Sequence, residues 1–132
     1  PVLDNCLTIP ILHREVALLN ASELAHNIVN LLDDKQAENI LLLDINSISP
    51  LADYFVIATA TSERQSQAMT DTLVEELRAQ GVRPLCVEGE RVSGWQLIDY
   101  GAVIVHLFSA EKRDFYRLEE LWKNAQVVVR VQ

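Results

Sequence analysis

The chain has 132 residues, 49% of them hydrophobic and 23% charged, a balance that indicates one folded globular domain and argues against a disordered or fibrous protein. Eleven Lys and Arg residues stand against nineteen Asp and Glu residues, which gives a formal net charge of −8. An acidic chain without a basic cluster is a poor candidate for sequence-specific nucleic-acid binding, and its charge favours either a basic protein partner or simple solubility.

The sequence also argues against membrane and secretory functions. Its apolar runs are much shorter than the roughly 20 residues of a membrane-spanning helix, and its first residues lack the basic region and apolar core of a secretory signal. Cys6 and Cys86 form no metal-binding or redox motif, so we expect free thiols in a reducing compartment. These features predict a cytoplasmic protein with no membrane partner.

The first half of the chain predicts two helices and two strands behind an aperiodic N-terminal extension, residues 1–19. Asn20 is placed to cap a first helix, which ends near Asp34. Ser62 opens a second helix with a Ser-Glu-Arg-Gln capping box, and Gly81 follows at the position of a C-terminal cap. The predicted elements are a helix at 20–35, buried strands at 40–45 and 54–60, and a helix at 63–80.

The second half predicts a hairpin followed by a helix. A third strand, 83–87, contains Pro84, which confines it to an edge or to its first residues. Two apolar runs, 95–98 and 103–108, are separated by Asp-Tyr-Gly-Ala, in which Gly101 can adopt a positive φ. Apolar residues at helical spacing then predict one helix at 112–125. The valine-rich tail, 126–132, is either an added edge strand or a frayed end.

The order of these elements predicts an α/β fold with a five-stranded mixed sheet covered by helices. Strands joined by a hairpin pair antiparallel. The crossover from Tyr54 through the Ser62 helix to Leu85 implies a parallel pair.

Signatures of catalysis are absent from the sequence. It lacks the glycine-rich phosphate-binding motifs and the His-Glu-x-x-His zinc motif. Glu88-Gly89-Glu90 offers two carboxylates to a cation, but such a pair in a loop is more often a solvated turn. Ser62 has no adjacent histidine as a base, and His106 lies in an apolar run typical of a core or interface histidine. We therefore expect no enzymatic activity, no metal and no cofactor.

The predicted hairpin carries an unusual group of side chains for a short apolar segment. If Trp95, Leu97, Asp99 and Tyr100 lie near one end of the sheet, they form an apolar anchor with an acidic flank, as in hot spots for protein partners. The alternative is that the aromatic side chains are ordinary core residues.

A series of motifs, in order and at matching spacing, resembles the ribosomal silencing factor family, also called Iojap. The motifs are DYFVIAT at 53–59, S-x-R-Q at 62–65, EG at 88–89, Trp95, LIDYG at 97–101, VIVHLF at 103–108, RDFY at 113–116 and LEELW at 118–122. The likeness covers about residues 20–125, which we take as the domain, with 126–132 as a C-terminal tail. Ala102 departs from the family, which usually has an acidic residue there.

The resemblance implies a single domain similar in fold to nucleotidyltransferases, without their catalytic motifs. It implies binding to the large ribosomal subunit through its fourteenth protein, a block on association with the small subunit, and repression of translation when nutrients are scarce. It also implies that the chain forms homodimers.

The expected binding residues follow from the resemblance and the charge together. Trp95, Leu97 and Tyr100 are predicted to anchor the partner, while Asp99 and Glu88 pair with its Arg or Lys residues. Three residues are predicted to support the contact: His106, Arg113 and Tyr116. Two alternatives remain open at this point, a dimeric adaptor for another basic protein and a nucleotide-binding enzyme with a metal site near Asp44, Asp53 or Glu88.

Overall fold

One mixed sheet organises the computed structural model, which describes residues 20–89 and 93–132. The sheet is combined with two long and two short helices. In chain order the elements are α1 (Ala21–Asp34), β1 (Glu38–Asp44), β2 (Tyr54–Ala60), α2 (Glu63–Ala79), β3 (Cys86–Glu88), β4 (Trp95–Asp99), β5 (Val103–Ser109), α3 (Ala110–Tyr116), α4 (Leu118–Leu121) and β6 (Gln126–Val131).

The predicted caps of the two long helices are confirmed. The side chain of Asn20 accepts a hydrogen bond from the Glu23 N–H at 2.8 Å, and that of Ser62 accepts from the Gln65 N–H at 3.0 Å. Each bond satisfies a backbone N–H that the first helical turn leaves without a partner. Gly81 follows α2 with φ +84°, a conformation that glycine adopts without the steric cost of a side chain.

The sheet has six strands in the order β3-β4-β5-β2-β1-β6, so the prediction of five was wrong. The valine-rich tail supplies the sixth, because β6 pairs antiparallel with β1 from Ile40↔Val131 to Asp44↔Gln126. The backbone of this strand hydrogen-bonds to the backbone of β1, which would otherwise be an exposed edge strand.

The predicted parallel pair involves a different strand. β2 pairs parallel with β5, from Tyr54↔Val103 to Ala60↔Ser109, whereas β3 pairs antiparallel with β4. The strand after α2 therefore runs parallel to β2 but lies at the sheet edge, separated from β2 by β4 and β5. Burial accounts for this arrangement: β5 is buried along most of its length and takes the centre, while the three residues of β3 are only partly covered.

Two hydrophobic clusters lie on opposite faces of the sheet. The first is covered by α1 and α2 and includes Leu42, Val56, Ile98 and Val105. The second contains Phe55, Ile57, Leu97, Ile104 and Phe108, with Trp95, Leu118, Trp122 and Ala125 packed against it. Because side chains alternate across a strand, successive residues of β4 serve different faces.

A polar contact fixes α2 on the first face. The buried side chain of Gln96 accepts hydrogen bonds through Oε1 from Ser66 Oγ and from Thr70 Oγ1, both at 2.8 Å. Three polar residues therefore satisfy one another inside an otherwise apolar layer, and we expect this contact to fix the register of the helix on the sheet.

The prediction of a single helix at 112–125 is wrong, because the helix is interrupted at Arg117. This residue has left-handed backbone angles, φ 46° and ψ 50°, and separates α3 from α4. The break rotates Phe115 and Leu121 into solvent, where they are 73% and 75% exposed. Leu118 and Trp122 still pack on the second cluster. A continuous helix would have placed all four on one face.

Two further observations concern the expectations for cysteine and membrane insertion. Cys86 is disulfide-bonded, so the expectation of a free thiol is wrong for this residue, and Cys6 lies outside the described residues. Within the described ranges, none of the helices has the length and apolar character needed to span a membrane.

Candidate protein-binding site

Trp95 stands where the sheet meets the α3–α4 segment. It opens β4 and pairs with Phe108, which in turn pairs with Thr59 near the end of β2. The half-buried indole stacks on Phe108 with ring centroids 5.1 Å apart and meets Tyr116 at 4.8 Å. One side of the indole is thus held by the sheet and another by α3.

The apolar surface continues outward from Trp95 over both short helices. The ring of Tyr116, 42% exposed, meets the ring of Phe115 edge-on at 5.0 Å. Tyr116, Phe115 and Leu121 line the same surface cavity. We call Trp95, Tyr116, Phe115 and Leu121 the aromatic corner. Three neighbouring, highly accessible apolar side chains are typical of a surface that binds another protein.

Arg113 attaches the aromatic corner to the sheet. Its Nε donates to Glu119 Oε2 at 2.8 Å and its Nη1 donates to Thr59 Oγ1 at 2.9 Å. The Arg113 side chain is only 10% exposed, so this ion pair is less screened than one on an open surface. Arg113, a residue of α3, therefore bonds to both α4 and β2, which fixes the position of the two short helices relative to each other and to the sheet.

The other side chains predicted to contact a partner lie elsewhere in the structure. Leu97 is buried in the second cluster, whereas Tyr100 is buried in the first, on the opposite face. Asp99 is also buried, and its Oδ1 accepts the Gly101 N–H at 2.7 Å. Glu88 is partly covered, at the edge of the sheet opposite Leu97. The structure therefore brings Trp95 and Tyr116 together, but not Asp99 or Tyr100.

Burial governs the ionisation of Tyr100. Its hydroxyl has no hydrogen-bond partner among the described residues. Burial raises the pKa of the Tyr100 phenol, and the positive charge of Arg78 opposes that rise only in part. Tyr100 therefore stays neutral at physiological pH, in agreement with a role in packing on the first face.

His106 lies beneath Trp95 and is also buried. Trp95 Nε1 donates to His106 Nδ1 at 3.2 Å, and the Phe55 ring meets the imidazole edge-on at 4.8 Å. Burial lowers the pKa of His106 to about 3, because the positively charged imidazolium is costly in an apolar environment. The ring is therefore neutral, which makes it a poor proton donor.

Of the three carboxylates proposed for a metal site, Asp44 and Asp53 lie close together, whereas Glu88 lies apart from them. Asp44 and Asp53 both bond to Asn46 at the turn between β1 and β2, at the other end of the sheet from Trp95. Glu88 lies on an edge strand, and Glu90 lies outside the described residues. Within ranges 20–89 and 93–132, no three His, Cys, Asp or Glu side chains form a group that could hold a metal ion.

Comparison with known proteins identifies the family. The family described as "Ribosomal silencing factor during starvation" matches residues 19–132. The ribosomal silencing factor RsfS of Halalkalibacterium halodurans is 39% identical over 110 residues, covering 83% of this chain and 94% of that protein. Its counterpart in Bacillus subtilis is 41% identical over 93 residues, covering 70% and 79%.

A solved structure agrees with these matches. The crystal structure of a protein from Chromobacterium violaceum superposes with a TM-score of 0.76 at 28% identity, covering 86% of this chain and 94% of that one. The agreement of sequence and fold over this length confirms the resemblance seen in the motifs, and the chain belongs to the ribosomal silencing factor family.

Proposed function

We propose that this chain binds the large ribosomal subunit through its fourteenth protein, blocks association with the small subunit and so represses translation when nutrients are scarce. It acts in the cytoplasm as a binding protein, without catalysis, metal or cofactor. Its topology is that of a nucleotidyltransferase without the catalytic motifs, and copies of the free chain form a homodimer.

The observation that carries this proposal is the aromatic corner on an acidic member of a ribosomal silencing family. Exposing Phe115 and Leu121 forgoes hydrophobic stabilisation that a continuous helix could have provided. A partner that covers both side chains recovers that free energy on binding. Apolar side chains of this kind bind proteins far better than they bind phosphate backbones.

Net charge identifies the chemical class of the partner. At −8, the chain is repelled by exposed rRNA and attracted by a basic ribosomal protein, most strongly at low salt. A ribosomal protein with Lys and Arg around an apolar recess would match both the charge and the corner.

Individual residues have different roles in the proposed contact. Trp95 is the central anchor, and Glu88 at the sheet edge pairs with a basic residue of the partner. Leu97, Asp99 and Tyr100 are buried in the free chain. Asp99 and Tyr100 reach the partner only if the turn between β4 and β5 opens. Leu97 lies in the middle of β4, opposite His106, and supports the strand that carries Trp95.

Sedimentation of the purified chain with isolated subunits tests this function. We expect migration with the large subunit only, weakening as salt rises from about 0.1 M because screening reduces charge attraction. Trp95→Ala should lose binding by about 2 kcal/mol or more while remaining folded. Full binding by a folded Trp95→Ala chain would contradict the proposed anchor.

The alternatives have separate tests. If the chain sediments with neither subunit, and a different basic protein is recovered from lysate, the adaptor function replaces this proposal. Heat released on titration with Mg²⁺ and a nucleoside triphosphate would instead support a nucleotide-binding enzyme. Equilibrium sedimentation of the free chain gives its molar mass in solution and so tests whether it forms a homodimer.

A further inference from the structure

We propose that His106 is a positioning residue that fixes the orientation of the Trp95 indole. The proposal deepens the proposed function and rests on it, because the consequence of a fixed indole is tighter binding of the partner protein. The geometry of the imidazole and its neighbours carries the argument.

The hydrogen bond between the two rings assigns the tautomer of His106. Trp95 Nε1–H is a donor only, so the Nδ1 atom 3.2 Å away must offer its lone pair. In the neutral ring the proton then resides on Nε2. His106 is held from two sides, edge-on by Phe55 and in a parallel stack with Phe108 at 6.2 Å. The acceptor therefore points in one direction.

Stability of the fold does not explain a histidine at this position. The Nε2 atom is buried and has no partner among the described residues. Leaving such a group unpaired costs about 1–3 kcal/mol. An apolar ring would fill the space without that cost. The neighbouring residues of β5 on the same face, Ile104 and Phe108, are both apolar. What the imidazole adds is an acceptor for the indole.

Trp95 needs this acceptor because its other contacts are not directional. Stacking on Phe108 and contact with Tyr116 hold the indole plane, but both faces of the ring stack equally well. The hydrogen bond distinguishes the two orientations related by a flip about the bond to the ring. It therefore determines which edge of the indole the partner meets.

The test uses substitutions that separate the acceptor from the volume of the ring. His106→Phe keeps an aromatic ring without an acceptor, and His106→Leu does so with less bulk if phenylalanine overpacks the site. His106→Asn places a carbonyl oxygen near the position of Nδ1. Two readouts are compared: hydrogen exchange of the Trp95 indole N–H by NMR, assigned with Trp95→Phe, and the dissociation constant for large subunits.

We expect His106→Phe or His106→Leu to remain folded, to exchange the indole proton at least about fivefold faster, and to bind about fivefold more weakly, the equivalent of one hydrogen bond. His106→Asn should recover both values in part. An unchanged indole resonance and exchange rate in the folded Phe or Leu variant would overturn the proposal, as would weaker binding that Asn does not rescue.

The proposed function and this inference fail in different ways. If the wild-type chain does not bind large subunits, the function is wrong, while the exchange measurement still decides whether His106 orients the indole. If the wild type binds and His106→Phe exchanges faster but binds equally well, the function stands and the positioning role in binding is overturned.

Discussion

Phe115→Ala is the substitution that most directly probes the aromatic corner. The ring is 73% exposed in the free chain, so little folding free energy depends on it, and the free energy of unfolding should change by less than about 0.5 kcal/mol. Binding should respond much more strongly. Complete burial of a phenylalanine side chain contributes about 1.5–3 kcal/mol.

The structure sets the size of the expected effect. If the partner covers the exposed 73% of the ring, the loss is about 1.1–2.2 kcal/mol, because that fraction scales the full burial value. The dissociation constant for large subunits should then rise about six- to fortyfold. Titration of labelled chain with purified large subunits measures the constant, and urea unfolding measures stability in parallel.

Ile48→Ala provides a matched control. Ile48 is also an exposed apolar residue, at 43%, but it lies in the turn after β1, at the other end of the sheet from Trp95. We expect its substitution to leave the dissociation constant unchanged. Equal affinities for wild type and Phe115→Ala, or equal losses for both variants, would refute the assignment of binding to the aromatic corner.

Four further predictions concern stability. Burial lowers the pKa of His106 to about 3, below its unfolded value of roughly 6.5, so the unfolded chain binds more protons between these two pH values. The free energy of unfolding should therefore fall as the pH drops below about 6.5, by up to about 1.4 kcal/mol per pH unit. A His106→Phe chain with the same pH dependence in urea unfolding would contradict this. Arg113→Ala removes two hydrogen bonds at a poorly accessible site and should cost about 1–3 kcal/mol, with an unaltered urea midpoint as the contrary result. Gln96→Leu should cost about 1–3 kcal/mol, since the buried Ser66 hydroxyl loses its acceptor and the Thr70 hydroxyl keeps only the Ser66 carbonyl, and a rise in melting temperature would count against that contact. Arg117→Gly should instead stabilise the chain by about 0.5–1 kcal/mol because glycine tolerates the left-handed angles, so a lower melting temperature would speak against strain at the break.

The sequence predicted those parts of the fold that depend on local patterns. The starts of the two long helices are specified locally, by the capping residues Asn20 and Ser62. The strands β1, β2 and β5 are likewise specified by their own apolar runs. Strand neighbours depend on contacts distant in sequence. Pro84 marks β3 as a candidate edge strand, but no local feature identifies β5 as the parallel neighbour of β2, so the parallel pair implied by the crossover was wrong.

The aromatic corner illustrates a second limit. Arg117 is neither glycine nor asparagine, the residues that usually mark a left-handed position, so no local signal marks the interruption of the predicted helix. The predicted continuous helix would have placed Phe115 and Leu121 on the same face as Leu118 and Trp122. By contrast, the prediction that Trp95 lies in a strand is confirmed, although its contact with His106 required the register of β4 on β5.

The sequence also did not predict how far the proposed binding residues are buried. Asp99 and Tyr100 carry polar atoms that either find partners inside the fold or face another protein, and the structure buries both. Asp99 is satisfied there by the backbone N–H of Gly101. A polar side chain in a hairpin turn can hydrogen-bond its own backbone, and sequence alone does not separate that arrangement from a contact surface.

Inhibition of subunit association by the purified chain is the most direct consequence of the proposed function. Large and small subunits are mixed at fixed magnesium with increasing amounts of wild-type chain or of Phe115→Ala, and the joined fraction is measured by gradient sedimentation. We expect wild type to reduce the joined fraction until the large subunits are saturated, and Phe115→Ala to need about six- to fortyfold more protein, in proportion to its weaker binding. A wild-type chain that saturates the large subunits while the joined fraction stays unchanged would contradict the proposed block on subunit association.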